Sequence, residues 1–331
     1  MKIAQRALEA EPFHAMAYGQ RASLLEAQGH RVVKLSLGEP DFGAPDAVRE
    51  AMREVMDGRP LPYTPATGLP ALQEEIARFY AHQHQVAVDP ARIVITSGAS
   101  AALVLAVAAT TDPGDEVIIA DPSYPCNREL VRSFGGIVVS VPTSPGSRYQ
   151  LDTSSIVSAW TDRTRTVMIA TPSNPTGASI PYDELSSICE LARDRGAWRI
   201  VDEIYLDLAD HGPDDAPAQT VLAVDPDAIV IGSFSKYFGM TGWRLGWVVI
   251  PEMLATAVER LAVNYFLCAS APAQLAALAA FTPASLAVLE ERRIELLARR
   301  QIVLDGLTRI GLPVPVVPTG RSTSTSTSAA P

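Results

Sequence analysis

Cysteine and histidine are scarce: the 331-residue chain holds three of the first and five of the second. Cys126, Cys189 and Cys268 are odd in number and lack CxxC spacing, which argues against a disulfide framework or a zinc site and for incidental thiols in a reducing cytoplasm. The histidines do not cluster at ligand spacing, so no metal is expected. His82 and His84, two apart on a polar helical stretch, read as solvated surface. No apolar run approaches the roughly 20 residues that span a bilayer, and the opening MKIAQRALEAEPFHAMAYGQ lacks the uninterrupted apolar core of a signal peptide. A cytoplasmic protein with no membrane partner is expected. There is no long Lys/Arg run, and a net charge of −10 is the wrong sign for a phosphate backbone, so no nucleic-acid partner is expected either.

Apolar residues, by contrast, are plentiful. At 47% hydrophobic and 19% charged, the chain can bury a large core, as one big domain plus a smaller one. Short apolar runs at 92–96, 116–120, 137–141, 166–170, 199–201, 228–231 and 246–250 read as strands, with helical patterns at 99–110, 124–134 and 182–195 between them. Residues 252–309 read as helix almost throughout, broken near 270–272 and 282–283. Near-continuous apolar strands alternating with helices predict an α/β fold: a mostly parallel central sheet with helices on both faces. The large domain is expected over 43–275, and a smaller, incomplete α+β domain over 1–42 plus 276–320.

Ligands of such sheets bind at the carboxyl ends of the strands, and here those ends carry the chemistry. Ser233, Ser235 and Lys236 follow the run 228–231, and Arg244 comes eight residues after the lysine. Asp202-Glu-Ile-Tyr205 follows 199–201, and Asn174-Pro-Thr-Gly177 follows 166–170. Ala99 and Ser100 open a helix directly after the first strand, and Tyr124 follows the second. Singly, each has a plain reading: a loop lysine is solvated, an Asp after a strand caps a turn, and NPTG is a β-turn. Ser233-x-x-Lys236 even matches the SxxK of penicillin-binding enzymes, but no SDN or KTG accompanies it. Together, all at strand ends, they point to one site.

These segments, with LSLGEPDF (35–42), YTPATGLPALQEEIA (63–77), TSGASAAL (96–103) and SFSKYFGMTGWRLGW (233–247), resemble the class I/II aminotransferases of PLP fold type I over residues 13–320. The resemblance implies pyridoxal 5′-phosphate as cofactor. Lys236 is then the lysine that carries it and later moves the substrate α-proton as a general base. Asp202 is implied to face the pyridine nitrogen and keep it protonated. Tyr205 and Asn174 would bond the ring 3′-oxygen, and Tyr124 would stack on the ring. Ser233, Ser235 and Arg244 are implied to hold the phosphate, helped by Ala99 and Ser100 at the start of their helix. Tyr63 would reach the phosphate of a neighbouring subunit, which implies a homodimer with shared sites. Gly38, having no Cβ, would let the N-terminal segment close on the substrate beside Asn174.

Two departures bear on the substrates, expected to be an L-amino acid and a 2-oxo acid. Dicarboxylate-selective members carry an additional cation, in one subgroup a lysine at the position of Ser100. The segment 264–268 has no cation, and its Tyr265, Phe266 and Leu267 suit a neutral, aliphatic side chain. In the family, moreover, an arginine of the C-terminal domain binds the substrate carboxylate, and this sequence stops short of it. Its tail, RSTSTSTSAAP, alternates serine and threonine over 322–328. Written as TCN and ACN codons, that alternation reads one base back as NTC and NAC, which encode the apolar/polar alternation of a half-buried strand. The tail from Arg321 is therefore expected to be a frameshift product of a truncated enzyme, leaving apolar helix faces such as 296–307 uncovered; a genuine Ser/Thr-rich tail is the alternative. A lyase or decarboxylase of the same fold, and an inactive remnant, stay open beside the aminotransferase.

Overall fold

A computed structural model describes residues 1–35 and 38–319. The tail from Arg321, and with it the frameshift expectation, lies outside the described residues. The chain opens with α1 (Gln5–Glu9), α2 (His14–Ala27), α3 (Asp46–Val55) and α4 (Pro70–Gln83). Next come β1 (Ile93–Thr96), α5 (Ala99–Thr110), β2 (Glu116–Asp121), α6 (Pro125–Ser133) and β3 (Ile137–Pro142). They are followed by α7 (Thr153–Ala159), β4 (Thr164–Ala170), α8 (Tyr182–Asp194), β5 (Trp198–Asp202), β6 (Ile229–Ser233) and β7 (Gly246–Val249). Three further helices complete the order: α9 (Ala255–Phe266), α10 (Ala271–Ala277) and the long α11 (Pro283–Arg309).

All seven runs expected as strands lie in one sheet, ordered β1-β7-β6-β5-β4-β2-β3. The pairings are parallel except those of β7, which runs against both β1 and β6. Strands β1, β6 and β7 are buried along their whole length, which is why their sequences are apolar without alternation. On one face, Ala102, Leu105 and Val107 of α5 pack with Ile119, Ile200, Ile231 and Val248. On the other, Leu72 and Ile76 of α4, Ile188 of α8 and Leu289 of α11 pack with Ile93, Val201 and Val230. Each fully buried aliphatic side chain contributes about 1.5–3 kcal/mol relative to exposure. Gly232 is opposite Trp247 in the ladder, and a Cβ there would fall 2.0 Å from the indole. The missing side chain lets Trp247 lie across the sheet and donate to the Tyr80 hydroxyl at 3.2 Å.

The periphery is less well covered. Helices α1 and α2 bury no residue. On α11, Leu296 is buried, contrary to the expectation for 296–307, whereas Ile302 and Val303 are exposed. No single described helix is long and apolar enough to cross a membrane.

One charged pair lies inside this core. Arg199 of β5 donates to Asp225 in two bonds, Nε to Oδ2 at 2.6 Å and Nη2 to Oδ1 at 2.8 Å, and both side chains are buried. Removing one partner strands a charge in a medium that solvates it poorly. Asp225→Ala should therefore lose about 3–5 kcal/mol of unfolding free energy in a denaturant titration. A loss below about 1 kcal/mol, the range of an exposed pair, would contradict this account.

Candidate active site

Strands β2, β4, β5 and β6 run the same way, and β1 joins them in direction because both β1 and β6 oppose β7. The residues after all five strands therefore collect at one edge. Strand β7, running back, starts at that same edge, and so it delivers Arg244 there. Gly246 stands opposite Ser233 on one side and Thr96 on the other.

Helix α5 also begins at this edge. Its first amides, those of Ala99 and Ser100, precede any intrahelical acceptor. A Cβ on Gly98, whose φ is 80°, would lie 2.6 Å from Arg244 Nη2. One on Gly246 would lie 2.8 Å from the Ala99 nitrogen. Two glycines thus allow a guanidinium and a helix start to share one spot. Arg244 Nη1 donates to the Thr241 carbonyl at 3.1 Å, which holds the fork over the helix end. Ser233 and Ser235 are buried beside it, the Ser233 hydroxyl accepting the Ser235 N–H at 3.0 Å. That leaves the Ser233 O–H proton to donate elsewhere. Backbone N–H groups, hydroxyls and a guanidinium at the positive end of a helix make a seat for a dianion.

Lys236 is half-buried next to this seat. Its Nζ donates to the Gly38 carbonyl at 3.0 Å and lies 5.6 Å from the centre of the Tyr205 ring. Asp202 ends β5 in a buried position, where Oδ1 accepts the Ile204 N–H at 3.1 Å. Burial pushes its carboxyl up to about 6, opposed by that N–H and by the Lys236 ammonium. Tyr124 caps the start of α6, its ring edge-on to Phe13 at 5.9 Å. Burial, a contact with Cys126 and the nearby Asp202 and Tyr205 hold its hydroxyl above the ordinary phenol range. The turn bearing Asn174 hangs from β4, where the Thr171 N–H donates to the Asp202 carbonyl at 3.1 Å. Thr319 straps this turn from outside: its N–H donates to the Gly177 carbonyl at 2.9 Å and its hydroxyl accepts the Ser179 N–H at 2.8 Å.

With this geometry in place, comparison with known proteins decides the family. The family described as "Aminotransferase class I and II" matches residues 30–321. The chain belongs to the class I and II aminotransferases. It is 38% identical to the valine–pyruvate aminotransferase of Mycobacterium tuberculosis over 303 residues, 91% of this chain and 77% of that protein. It is 33% identical to the aspartate/prephenate aminotransferase of Thermus thermophilus over 313 residues, covering 94% of this chain and 80% of that one. Among solved structures, an aminotransferase from M. tuberculosis superposes with a TM-score of 0.92 at 35% identity, over 97% of this chain and 82% of that chain. The T. thermophilus aspartate aminotransferase with maleate gives 0.91 at 33%, over 97% and 84%.

Some expected residues of this aminotransferase are not gathered at the edge. Tyr63 is 80% exposed, pointing away from its own chain. Tyr265 and Leu267 are exposed at the end of α9, while Phe266 packs back onto the core. His84 corrects the surface reading: His82 is exposed, but His84 is buried beneath the site, 3.1 Å from Asp207. Glu203 was also missed. It is buried, with its carboxylate accepting the Thr220 hydroxyl at 2.7 Å and the Val221 N–H at 2.6 Å. Burial nonetheless pushes it up to about 7.

These groups make stability depend on pH in one direction. Asp202 and Glu203 titrate above the ordinary carboxylate range in the folded chain, through burial. His84 also titrates above its ordinary value, because Asp207, Glu203 and the Ala218 carbonyl outweigh its burial. The folded state therefore holds more protons than the unfolded one, and stability falls as pH rises through about 4 to 7. The cofactor-free chain should melt at a higher temperature at the acid end of that window, with a flatter dependence in Glu203→Gln. A midpoint that climbs with pH there would refute the assignment.

Proposed function

We propose that the chain is a pyridoxal-phosphate-dependent aminotransferase that moves an amino group between a neutral, aliphatic L-amino acid and a 2-oxo acid, acting as a homodimer. The observation that carries this reading is the Arg244 guanidinium, eight residues after Lys236, lying against Gly98 at the start of α5. The residues fit the cofactor: a phosphate dianion needs several donors, and Ala99, Ser100, Ser233, Ser235 and Arg244 offer amides, hydroxyls and a bidentate fork. When bound, pyridoxal phosphate supplies the sink for the electron pair left at the substrate α-carbon.

The chain's own residues supply the rest. Lys236 would hold the cofactor covalently and, once released, would carry the α-proton; that role needs a neutral amine, which a half-buried position favours. Asp202, buried beside Lys236, would share its charge with the pyridine nitrogen and keep a proton there. Tyr205 and Asn174 would hold the ring oxygen, and Tyr124 would cover the ring face. Gly38, whose carbonyl meets Lys236 Nζ, brings the N-terminal segment against the substrate next to Asn174. Exposed Tyr63 supports a second copy of the chain as the owner of the site it completes. We take 43–275 as the cofactor-binding unit and 1–42 with 276–320 as a smaller one, supported by the lack of buried residues on α1 and α2. A neutral donor is supported by Ser100 where a cation would serve a second carboxylate, and by the 38% identity to a valine–pyruvate aminotransferase.

Borohydride treatment of the chain with pyridoxal phosphate should fix the cofactor at Lys236, located by peptide mapping. Lys236→Ala should still bind it reversibly through the phosphate seat but should not turn over. A label on another lysine would remove the central assignment. In a panel of amino donors with pyruvate, valine or alanine should outrun aspartate; a clear preference for aspartate or glutamate overturns the substrate class while leaving the cofactor site standing.

A further inference from the structure

We propose that His84 is a positioning residue of this site: as an imidazolium clamped between Asp207 and the Ala218 carbonyl, it fixes the turn 202–208 that carries Asp202 and Tyr205. The inference rests on the function proposed above, and it is argued from atoms that the reaction itself does not use.

His84 follows the last turn of α4, and its side chain is 3% exposed. Nδ1 is 3.0 Å from the Ala218 oxygen, and since a carbonyl only accepts, Nδ1 must carry a hydrogen. Nε2 is 3.1 Å from Asp207 Oδ1, an ion-pair distance, and that buried oxygen accepts no well-aligned hydrogen bond among the described residues. A neutral ring protonated at Nδ1 would aim its lone pair at that carboxylate in a poorly solvating pocket. A second proton on Nε2 turns the clash into a charge-assisted contact. Both ring nitrogens then carry a proton.

The surroundings favour the charge. Glu203 faces the ring from the end of β5, and Tyr80 of α4 lies 5.6 Å from it, centre to centre. Tyr182 of α8 adjoins Glu203, and Tyr237 of the turn after β6 adjoins Asp207; both are neutral phenols held above their ordinary range, chiefly by burial. Arg293 of α11 reaches Tyr237 but is paired with Glu290 at 2.6 Å.

The turn is thus tied twice to one segment. Glu203 bonds Thr220 and Val221, and Asp207 reaches Ala218 through His84. Tyr205, whose ring meets Lys236 Nζ, sits midway between the two ties. Without His84 the second tie is gone and the buried Asp207 Oδ1 loses the cation beside it. Displacing reacting groups by about 1 Å can cost on the order of 10²-fold in rate.

Three variants test this in the full chain with pyridoxal phosphate bound, using valine and pyruvate as substrates. Nitrogen-15 histidine spectra should find both ring nitrogens of His84 protonated at neutral pH in the wild type, and only one in Asp207→Asn. His84→Gln and Asp207→Ala should lower kcat about tenfold or more with KM near wild type, and Asp207→Ala, which strands the imidazolium, should also melt lower. Asp207→Asn should keep most of kcat, because its amide can donate to a neutral Nε2 and preserve the bridge. A neutral His84 in the wild type overturns the proposal. So does an unaltered kcat in His84→Gln, or a joint collapse of kcat, KM and melting temperature, which marks a purely structural role. If the wild type moves no amino group, the function proposed above fails, and the spectra still decide the state of His84.

Discussion

The Arg244 guanidinium fills the space that a side chain on Gly98 would need, and Gly246 is flat against the first amide of α5 for the same reason. That close approach depends on the direction of β7. Were β7 parallel like its neighbours beyond β6, its four residues would carry Arg244 about 13 Å away, to the opposite edge of the sheet. One reversed strand and two missing Cβ atoms therefore concentrate positive charge where the six other strands end. The lysine, the buried carboxylate and the Asn174 turn are arranged around that concentration.

The two acidic residues at the end of β5 divide the labour below it. Asp202 and Glu203 are adjacent and equally buried, but successive side chains leave a strand on opposite faces. Asp202 faces the lysine, whereas Glu203 faces the Thr220 segment and the His84 pocket. The site's own charge is thereby backed by a second, hydrogen-bonded layer made from the next residue in the chain. Such backing is what keeps a catalytic group within fractions of an ångström of its working position.

Much of this arrangement was legible before any coordinates. Runs such as 116–120 and 228–231 are apolar without alternation because both of their faces are covered, and that pattern is hard to mistake for anything but a buried strand. Helix α5 was readable to the residue, since a turn with Gly98 marks its start. The grouping of Lys236, Asp202, Asn174 and Arg244 followed from their shared place after strands. His84 was not legible: it ends a polar helix beside an exposed His82, and its carbonyl partner is 134 residues away. Nor was the exposure of Tyr265 and Leu267, because an apolar sequence at a helix end looks the same whether it lines a pocket or waits at a surface.

Thr319 joins places that the sequence keeps far apart. It bonds the Asn174 turn at Gly177 and Ser179, and its carbonyl accepts the Asp210 N–H at 2.6 Å. Its bond to Ser179 closes a loop of 140 residues. The entropy of closing a loop grows only with the logarithm of its length, so at equilibrium the strap costs little more than a short one, about 0.6 kcal/mol per doubling. Its timing is another matter, because contacts this distant in sequence form late. During synthesis the sheet and the phosphate seat, complete by residue 250, can assemble while the Asn174 turn still lacks its strap. The last part of this edge to become rigid is therefore the Asn174 turn.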